Sequence, residues 1–264
     1  MYAAERQREI MSVIRLRDRA SVQDLAQALG VTPETVRRDL TALERRGLLR
    51  RTHGGAVHVE RVSFSTPVTD RAGVYDAEKD AIAAGALERI VDDSTIGIDA
   101  GTTTIKLAEL IPKTSRLTVV TYSLIVASEL AAHPGVQIHF LGGQIQENSR
   151  AAVGTWALEH IGRITLDQVF LSVDGINTRH GLSTHNLAEA QVKAALMNAA
   201  RHTVVMADRS KFGREEFGRV APLADVDLII TDAGVSAEQL AEVREQGPEV
   251  IAIPGSRATA PPAE

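Results

Sequence analysis

The chain reads as α/β in class: an N-terminal winged helix-turn-helix followed by a larger C-terminal α/β domain with an open, mostly parallel sheet. Three observations carry this. Two short amphipathic stretches, separated by a glycine, fill residues 21–40 and precede a Gly-Gly turn. From residue 76 onward, apolar runs of strand length alternate with helical periodicity. The charge is also divided: residues 1–57 hold eleven arginines, no lysine and seven acidic residues, net +4, whereas the other 207 residues carry 18 basic and 27 acidic groups, net −9.

The head can be justified element by element. Ile10, Val13, Ile14 and Leu16 give a first helix something to pack. Ser21 suits the N-cap of the next helix, with Asp24 three residues on, and Thr32 suits the N-cap of a third, where Pro33 takes the first helical position at no cost in hydrogen bonds. Gly30 supplies the turn between them. Leu25, Ala28 and Leu29 on one helix, and Val36, Leu40 and Leu43 on the other, fall at three- and four-residue spacing, so each helix has one apolar stripe to bury. Gly47 to Val57 then places two short extended runs around Gly54-Gly55, as a two-stranded wing requires. A domain of residues 1–57 is near the lower size limit for a single core.

The remaining face of the third helix carries Thr35, Arg37 and Arg38. In a helix-turn-helix the start of the second motif helix reaches base edges while its flanks lie against phosphates. A guanidinium forks onto guanine O6 and N7 or pairs with phosphate, and the helix dipole near Thr32 adds attraction for an anion. An isolated Arg-Arg pair on a short helix is ordinarily a solvated surface; the helix-turn-helix and wing around this one favour double-stranded operator DNA. The expected DNA-facing set is Ser21, Thr32, Glu34, Thr35, Arg37 and Arg38, with Arg51, His53 and Gly54 in the wing. His53 is as readily a polar turn residue as a phosphate contact. The acidic overall balance does not oppose DNA binding, because counterion release depends on the local face. One recognition helix makes few base contacts, so specific binding calls for at least two heads, which implies a homodimer or homotetramer.

Composition bounds the remainder. A length of 264 residues suggests two domains, and 44% hydrophobic content is ordinary for a globular chain. There is no cysteine and hence no disulfide. Eight scattered histidines form no metal-ligand pattern, so neither metal nor other cofactor is expected. No signal peptide and no apolar run of membrane-spanning length is present, which points to the cytoplasm with no membrane partner.

Residues 58–75 lose periodicity and hold Pro67 and Gly73; they read as a linker that docks partly on the second domain. In residues 76–254, helices are expected near 77–91, 103–111 and 123–132. Strands are expected at Thr95–Asp99, Leu117–Thr121, Val136–Leu141, Gln168–Val173, Thr203–Ala207, Leu228–Thr231 and Val250–Ile253. Runs such as TVVTY and DLIIT suit strands buried on both faces, hence a parallel sheet with helices on either side. Residues 255–264 read as a disordered tail.

Ligands of such sheets bind beyond the strands' carboxyl ends. Asp99, Gly101, Thr102, Thr103 and Thr104 run from a strand through a glycine turn into a helix start, a geometry suited to phosphate, although threonines cap helices in many places. Tyr122 and Ser123, Gly142 and Gly143, Asp174 and Gly175, and Lys211 end other strands. Taken together they suit a phosphorylated polyol: carboxylates for hydroxyls, cations and amides for phosphate, and glycines for close approach. Glu189 and Lys193 are four apart on a helix, which ordinarily makes a surface ion pair but can also face a pocket.

The stretch from Glu5 to Val57, with TVRRDL at 35–40, GLLRR at 47–51 and HGGA at 53–56, resembles the winged helix-turn-helix of the DeoR family of bacterial transcription regulators. Residues 64–235 resemble that family's sensor domain, through the spacing of Arg71 and Lys79 and through IDAGTTT, VVTYS, FLGG, DQVFLSVDGIN, GLSTHNLAEAQVK and ADRSKFG. The resemblance implies a sensor with the fold of ribose-5-phosphate isomerase, a phosphorylated sugar or related small molecule as effector, a phosphate loop of Asp99 and Gly101 to Thr104, and a sugar end lined by Asp174, Glu189 and Lys211. It implies a regulator, typically a repressor of a sugar or sugar-alcohol catabolic operon. The chain departs from many relatives at Tyr75 and Tyr122, where Asn is common, and at Arg209, where Ser is. The alternative is a sugar-phosphate isomerase with Glu189 and Lys211 as base and electrophile. It is disfavoured because the isomerases' Gly-rich lysine loop and Asp-Gly-Ala-Asp-Glu run are missing and because an isomerase has no use for a DNA-binding head.

Overall fold

A computed structural model describes residues 3–17, 19–45, 49–52, 54–58, 68–71 and 73–254. The chain forms two compact units, Met1–Arg61 and Val62–Glu264.

In the first unit the order is α1 (Ala3–Arg17), β1 (Arg19–Ser21), α2 (Val22–Leu29), α3 (Pro33–Arg45), β2 (Leu49–Thr52) and β3 (Gly55–His58). The apolar stripes meet as expected: Ile10, Ile14, Leu25, Val36 and Leu40 are completely enclosed, and Leu43 nearly so. One position differs. Ala26 is buried and Ala28 exposed, because the inner face of so short a helix is set by Val22 and Leu25. Gly30 takes the left-handed conformation (φ 63°) that ends α2. Asp39, on the inner side of α3, accepts from Arg6 Nε at 2.5 Å and Gln7 Nε2 at 3.0 Å, fixing α1 to α3.

The wing has three strands where two were expected. β3 pairs antiparallel with β2 and also with β1, three residues that carry too little pattern to signal a strand. Gly55 is required there, since a Cβ would stand 2.2 Å from the Ala20 carbonyl oxygen on β1.

The second unit opens with α4 (Val68–Arg71) and α5 (Asp76–Leu87), followed by β4 (Thr95–Ile98), α6 (Thr102–Leu110), β5 (Leu117–Thr121), α7 (Leu124–Leu130), β6 (Val136–Phe140), a hairpin of β7 (Gln144–Gln146) and β8 (Ala151–Val153), α8 (Thr155–Ile161) and β9 (Gln168–Ser172). It continues with β10 (Gly175–Asn177), β11 (Gly181–Thr184), α9 (Leu187–Ala199), β12 (Thr203–Met206), β13 (Gly218–Ala221), β14 (Leu228–Asp232), α10 (Ala237–Arg244) and β15 (Glu249–Ile253). Seven strands make one wholly parallel sheet, in the order β15-β14-β12-β9-β4-β5-β6. Both faces are covered. Phe170, Val204, Met206, Leu228 and Ile230 join one core, whereas the alternating Val169, Leu171, Val205 and Ile229 join the other. The chain order reverses between β4 and β9, so the cleft of this sheet lies at the carboxyl ends of those two strands.

The head was expected to end at residue 57, whereas the units divide after Arg61. Half of the expected linker, residues 59–67, is outside the described residues, as are His53 and the tail 255–264. Val68 is buried against the second unit, and its N–H donates to Asn148 O at 2.7 Å.

Candidate DNA interface and effector site

The residues expected to face DNA lie where their local chemistry put them. Ser21 Oγ accepts from Asp24 N at 3.0 Å and caps α2. Thr32 Oγ1 accepts from Thr35 N at 3.3 Å and lies 3.0 Å from Thr35 Oγ1, so both hydroxyls are drawn into the start of α3. Glu34 and Arg37, both exposed, pair at 3.0 Å across one turn. Arg38 is exposed beside them. In the wing, Arg51 donates from Nη1 to Thr41 Oγ1 at 3.0 Å, and its N–H to Glu44 Oε1 at 2.9 Å, which ties β2 to α3. Gly54 turns with φ 93° and is exposed. His53, expected at the wing tip, is outside the described residues.

At the carboxyl end of the sensor sheet, several expected ligand-facing groups are turned inward. Asp99 is completely enclosed. Its carboxylate accepts from Lys193 Nζ at 2.7 and 2.6 Å, from Ser172 N at 2.9 Å, from Ser172 Oγ at 2.5 Å and from the Tyr122 hydroxyl. Burial pushes this carboxyl up, but the Lys193 ammonium and the hydrogen bonds from Lys193, Ser172 and Tyr122 reverse that and leave it below the ordinary value. Burial and the Asp99 charge hold the Tyr122 phenol well above its usual range. Tyr122 therefore does not line a pocket; it fills the space beneath Asp99.

Four further expectations are corrected on the same physical grounds. Glu189 and Lys193 are both buried and form no surface pair: Lys193 turns to Asp99 and to Ser172 O at 2.9 Å, whereas Glu189 accepts from Ser149 Oγ at 2.7 Å. Thr104 Oγ1 accepts from Gly101 N and donates to Asp99 O, which consumes it in the turn. Ser123 is spent capping α7, by accepting from Val126 N at 3.3 Å. Three of the glycines are accounted for by packing within the protein itself. A Cβ on Gly101 would meet Ser172 Oγ at 1.9 Å, one on Gly143 the Val153 carbonyl oxygen at 2.5 Å, and one on Gly175 Ser183 Oγ at 2.6 Å. Gly142 is the exception, open to space and required by a φ of 67°.

Next to this closed set lies a second, partly buried ring of charge around Asp174. Its Oδ2 accepts from His185 Nδ1 at 2.6 Å and Thr184 Oγ1 at 2.7 Å, and its Oδ1 from Arg71 Nη1 at 3.3 Å. Burial raises this carboxyl, but the His185 hydrogen bond and the Lys211 and Arg71 charges hold it well below the usual carboxylate range. Lys79, on α5, is buried and donates to Arg71 O at 2.7 Å. Burial, with help from the Lys211 and Arg71 charges, lowers its ammonium to about 8 despite Asp208 and Asp76 nearby. Glu216 is raised by burial and by the Asp174 charge. Of the expected phosphate loop, Thr103 is buried, and Thr102 stands half-buried at the start of α6, where first-turn N–H groups have no intrahelical acceptor. Lys211, also half-buried, ends the short turn that Asp208 caps.

Arg71, Lys79, His185 and Glu216 were not among the predicted site residues. A lysine or arginine at the start of an amphipathic helix reads as a solvated charge. Only the family likeness flagged Arg71 and Lys79, and nothing flagged His185 or Glu216. Arg209 and Tyr75, two of the departures from relatives, turn out to be one feature: the guanidinium lies 4.7 Å from the centre of the Tyr75 ring and pairs at 2.9 Å with both Glu78 and Asp232. Arg209 is thus fixed in the wall and is neither free for phosphate nor simply solvated.

Residues 6–62 match the family model of the DeoR-like helix-turn-helix domain, and residues 75–233 that of the DeoR C terminal sensor domain. The chain belongs to the DeoR family. It is 35% identical to the HTH-type transcriptional regulator GlpR of Haloferax volcanii over 95% of this chain and 98% of that one. It is 32% identical to the putative aga operon transcriptional repressor of Escherichia coli O157:H7 over 95% and 94%, and 32% identical to the glycerol-3-phosphate regulon repressor of Escherichia coli K12 over 88% and 92%. Among solved structures, ribose 5-phosphate isomerase A of Methanocaldococcus jannaschii aligns with a TM-score of 0.38 and 16% identity, over 51% of this chain and 53% of that one. As a DeoR-family member the chain is a DNA-binding transcriptional regulator and not an enzyme, which removes the isomerase alternative. Among the described residues no helix is long and apolar enough to cross a membrane.

Replacing Lys193 with Met should destabilise the sensor by about 3–5 kcal/mol, because it leaves the Asp99 carboxylate buried without its counter-charge. Urea unfolding followed through the sensor, with Arg219→Ala as an exposed control, checks this; equal midpoints for the two variants would contradict the role given to the buried pair.

Proposed function

We propose that this regulator is a cytoplasmic repressor of a sugar or sugar-alcohol catabolic operon. It acts as a homodimer or homotetramer on double-stranded operator DNA and is released when a phosphorylated sugar-type effector binds at the carboxyl edge of the sensor sheet. The observation that carries the effector half is the gathering of Arg71, Lys79 and Lys211 around Asp174 and Asp208, with Lys79 buried on a single recorded hydrogen bond. A buried ammonium so poorly paired is stabilised by an incoming anion. The DNA half rests on Arg37 and Arg38, both exposed on α3, and on the wing arginine Arg51, with Ser21, Thr32, Glu34, Thr35, His53 and Gly54 proposed as further contacts.

The effector shifts the equilibrium only as far as it prefers the DNA-released form. The relatives named for the glycerol-3-phosphate regulon and the aga operon make polyol and sugar phosphates the first compounds to screen. Thermal shift of the full chain against glycerol 3-phosphate, ribose 5-phosphate and fructose 1-phosphate tests the class, since a specific binder raises the melting temperature by mass action.

Three outcomes follow. Arg38→Ala should weaken operator binding broadly across sequences and lower the salt slope by about one if its contact is to phosphate; an unchanged titration between low and moderate salt removes the α3 assignment. Lys211→Ala should keep operator affinity but lose release by whichever compound releases the wild type in a gel-shift titration. Lys79 gives the third a sign. A phosphomonoester, already a dianion above about pH 7, raises the Lys79 pKa from about 8 on binding, so its affinity is level below pH 8 and falls by up to about tenfold per pH unit above it. Calorimetry in buffers of different ionisation enthalpy should show proton uptake near pH 8.5, absent in Lys79→Met.

A further inference from the structure

Among the described residues, four buried side-chain polar atoms lack a hydrogen-bond partner: Arg71 Nε, His133 Nδ1, His185 Nε2 and Thr231 Oγ1. Two of the four belong to groups that grip one carboxylate, Asp174. That carboxylate has little left to give. Its oxygens already take Arg71 Nη1, Thr184 Oγ1, His185 Nδ1 and, at 3.4 Å, His185 N, close to the four lone-pair sites a carboxylate offers. Asp174 Oδ2 in particular is committed to Thr184 and His185.

What Asp174 does is set the chemistry of its neighbours. With Nδ1–H donating to Asp174, the neutral imidazole keeps its lone pair on Nε2, so that atom accepts. Arg71 Nε–H can only donate. One acceptor and one donor, both buried and both unsatisfied, are the complement of an alcohol, whose oxygen donates one hydrogen bond and accepts others. Inorganic phosphate held by the Lys79 and Lys211 cations has no hydroxylated arm to bring to them.

We propose that His185 Nε2 and Arg71 Nε together read the hydroxyl end of a polyol phosphate, with Asp174 as the positioning residue that holds both. This rests on the effector reading above and deepens it: the cations at Lys79 and Lys211 serve the charged end, whereas His185 and Arg71 decide which hydroxylated molecule is accepted. Arg71 adds a consequence for regulation. It closes α4, the first described helix after the unit boundary, so the chain segment that follows the DNA-binding unit takes part in ligand recognition itself.

The test compares two kinds of probe on the full-length chain. Wild type should bind its best polyol phosphate, from glycerol 3-phosphate, ribose 5-phosphate and fructose 1-phosphate, at least about tenfold more tightly than inorganic phosphate, the scale of one net hydrogen bond. His185→Phe should bring that ratio toward one while leaving the dissociation constant for inorganic phosphate within about twofold, and Arg71→Gln should bring the ratio toward one whatever it does to phosphate itself. In wild-type protein, the imidazole nitrogen signals of His185 should move on adding the polyol phosphate and stay in place on adding inorganic phosphate, a readout that needs no variant to fold. A ratio preserved in both variants, a loss of inorganic phosphate binding in step with the polyol phosphate in His185→Phe, or an unmoved imidazole in the liganded wild type would overturn the proposal and leave the effector reading standing. Failure of wild type to bind any of the probes overturns both.

Discussion

The sensor depends on one buried ion pair. Asp99 leaves β4 at the point where the strand order reverses, and Lys193 reaches it from the middle of α9. Neither charge survives alone in that position, since an unpaired buried ion costs far more than it contributes. The pair therefore obliges α9 to cross the end of the sheet at one height and one rotation. Ser172 on β9 and Tyr122 after β5 then have to meet the same carboxylate, so three neighbouring strand ends and one helix are registered on a single group. Gly101 follows from this, because Ser172 Oγ occupies the place a Cβ would take.

The result is a layered arrangement of polar groups. The deep layer, Asp99 with Lys193, Ser172 and Tyr122, is closed on itself. The shallower layer, Asp174 with Arg71, His185, Thr184 and the nearby Lys79 and Lys211, is not: two nitrogens lack partners and one ammonium is held well below its usual pKa. A saturated network fixes geometry, and an unsaturated one stores affinity for whatever completes it. The same shallow layer receives the first segment of the unit, through the Val68 N–H on Asn148 O and Lys79 Nζ on Arg71 O.

Much of this architecture was legible in the sequence, and the failures share a cause. Runs such as Leu117–Thr121 and Leu228–Thr231 announce buried parallel strands because both of their faces must be apolar, and their positions agree with the structure to within a residue. β1, β7, β8, β10 and β11 span three or four residues each, fewer than a period-two pattern needs to be recognised. At the site, the strand-end rule singled out Asp99, Thr102, Asp174 and Lys211, which lie just beyond β4, β9 and β12. It could not tell which carboxylate is spent on the interior. That depends on Lys193 lying 94 positions away from Asp99, and on Glu189 turning to Ser149 and not to its helical neighbour. His185 escaped notice for a similar reason: its value comes from Asp174 eleven residues earlier, across the β10–β11 turn.

Both units solve an electrostatic problem that net charge alone would get wrong. The body carries net −9 yet, on the proposed function, holds an anion, and the head carries only +4 yet competes for DNA. The body does it by burial. Burial lowers Lys79, with the two cations Lys211 and Arg71 brought close enough to add to it, while Asp174 among them is occupied by hydrogen bonds and so presented as a partner already paired. The head works in the open, where Glu34 holds Arg37 at 3.0 Å and Arg38 stands exposed beside it. An exposed pair of this kind is worth little in stability, so Glu34 yields Arg37 cheaply to a phosphate or a guanine edge. Salt screens the exposed face strongly and the buried ring weakly. On the proposed roles, rising ionic strength weakens operator binding more than effector binding, which separates the two events.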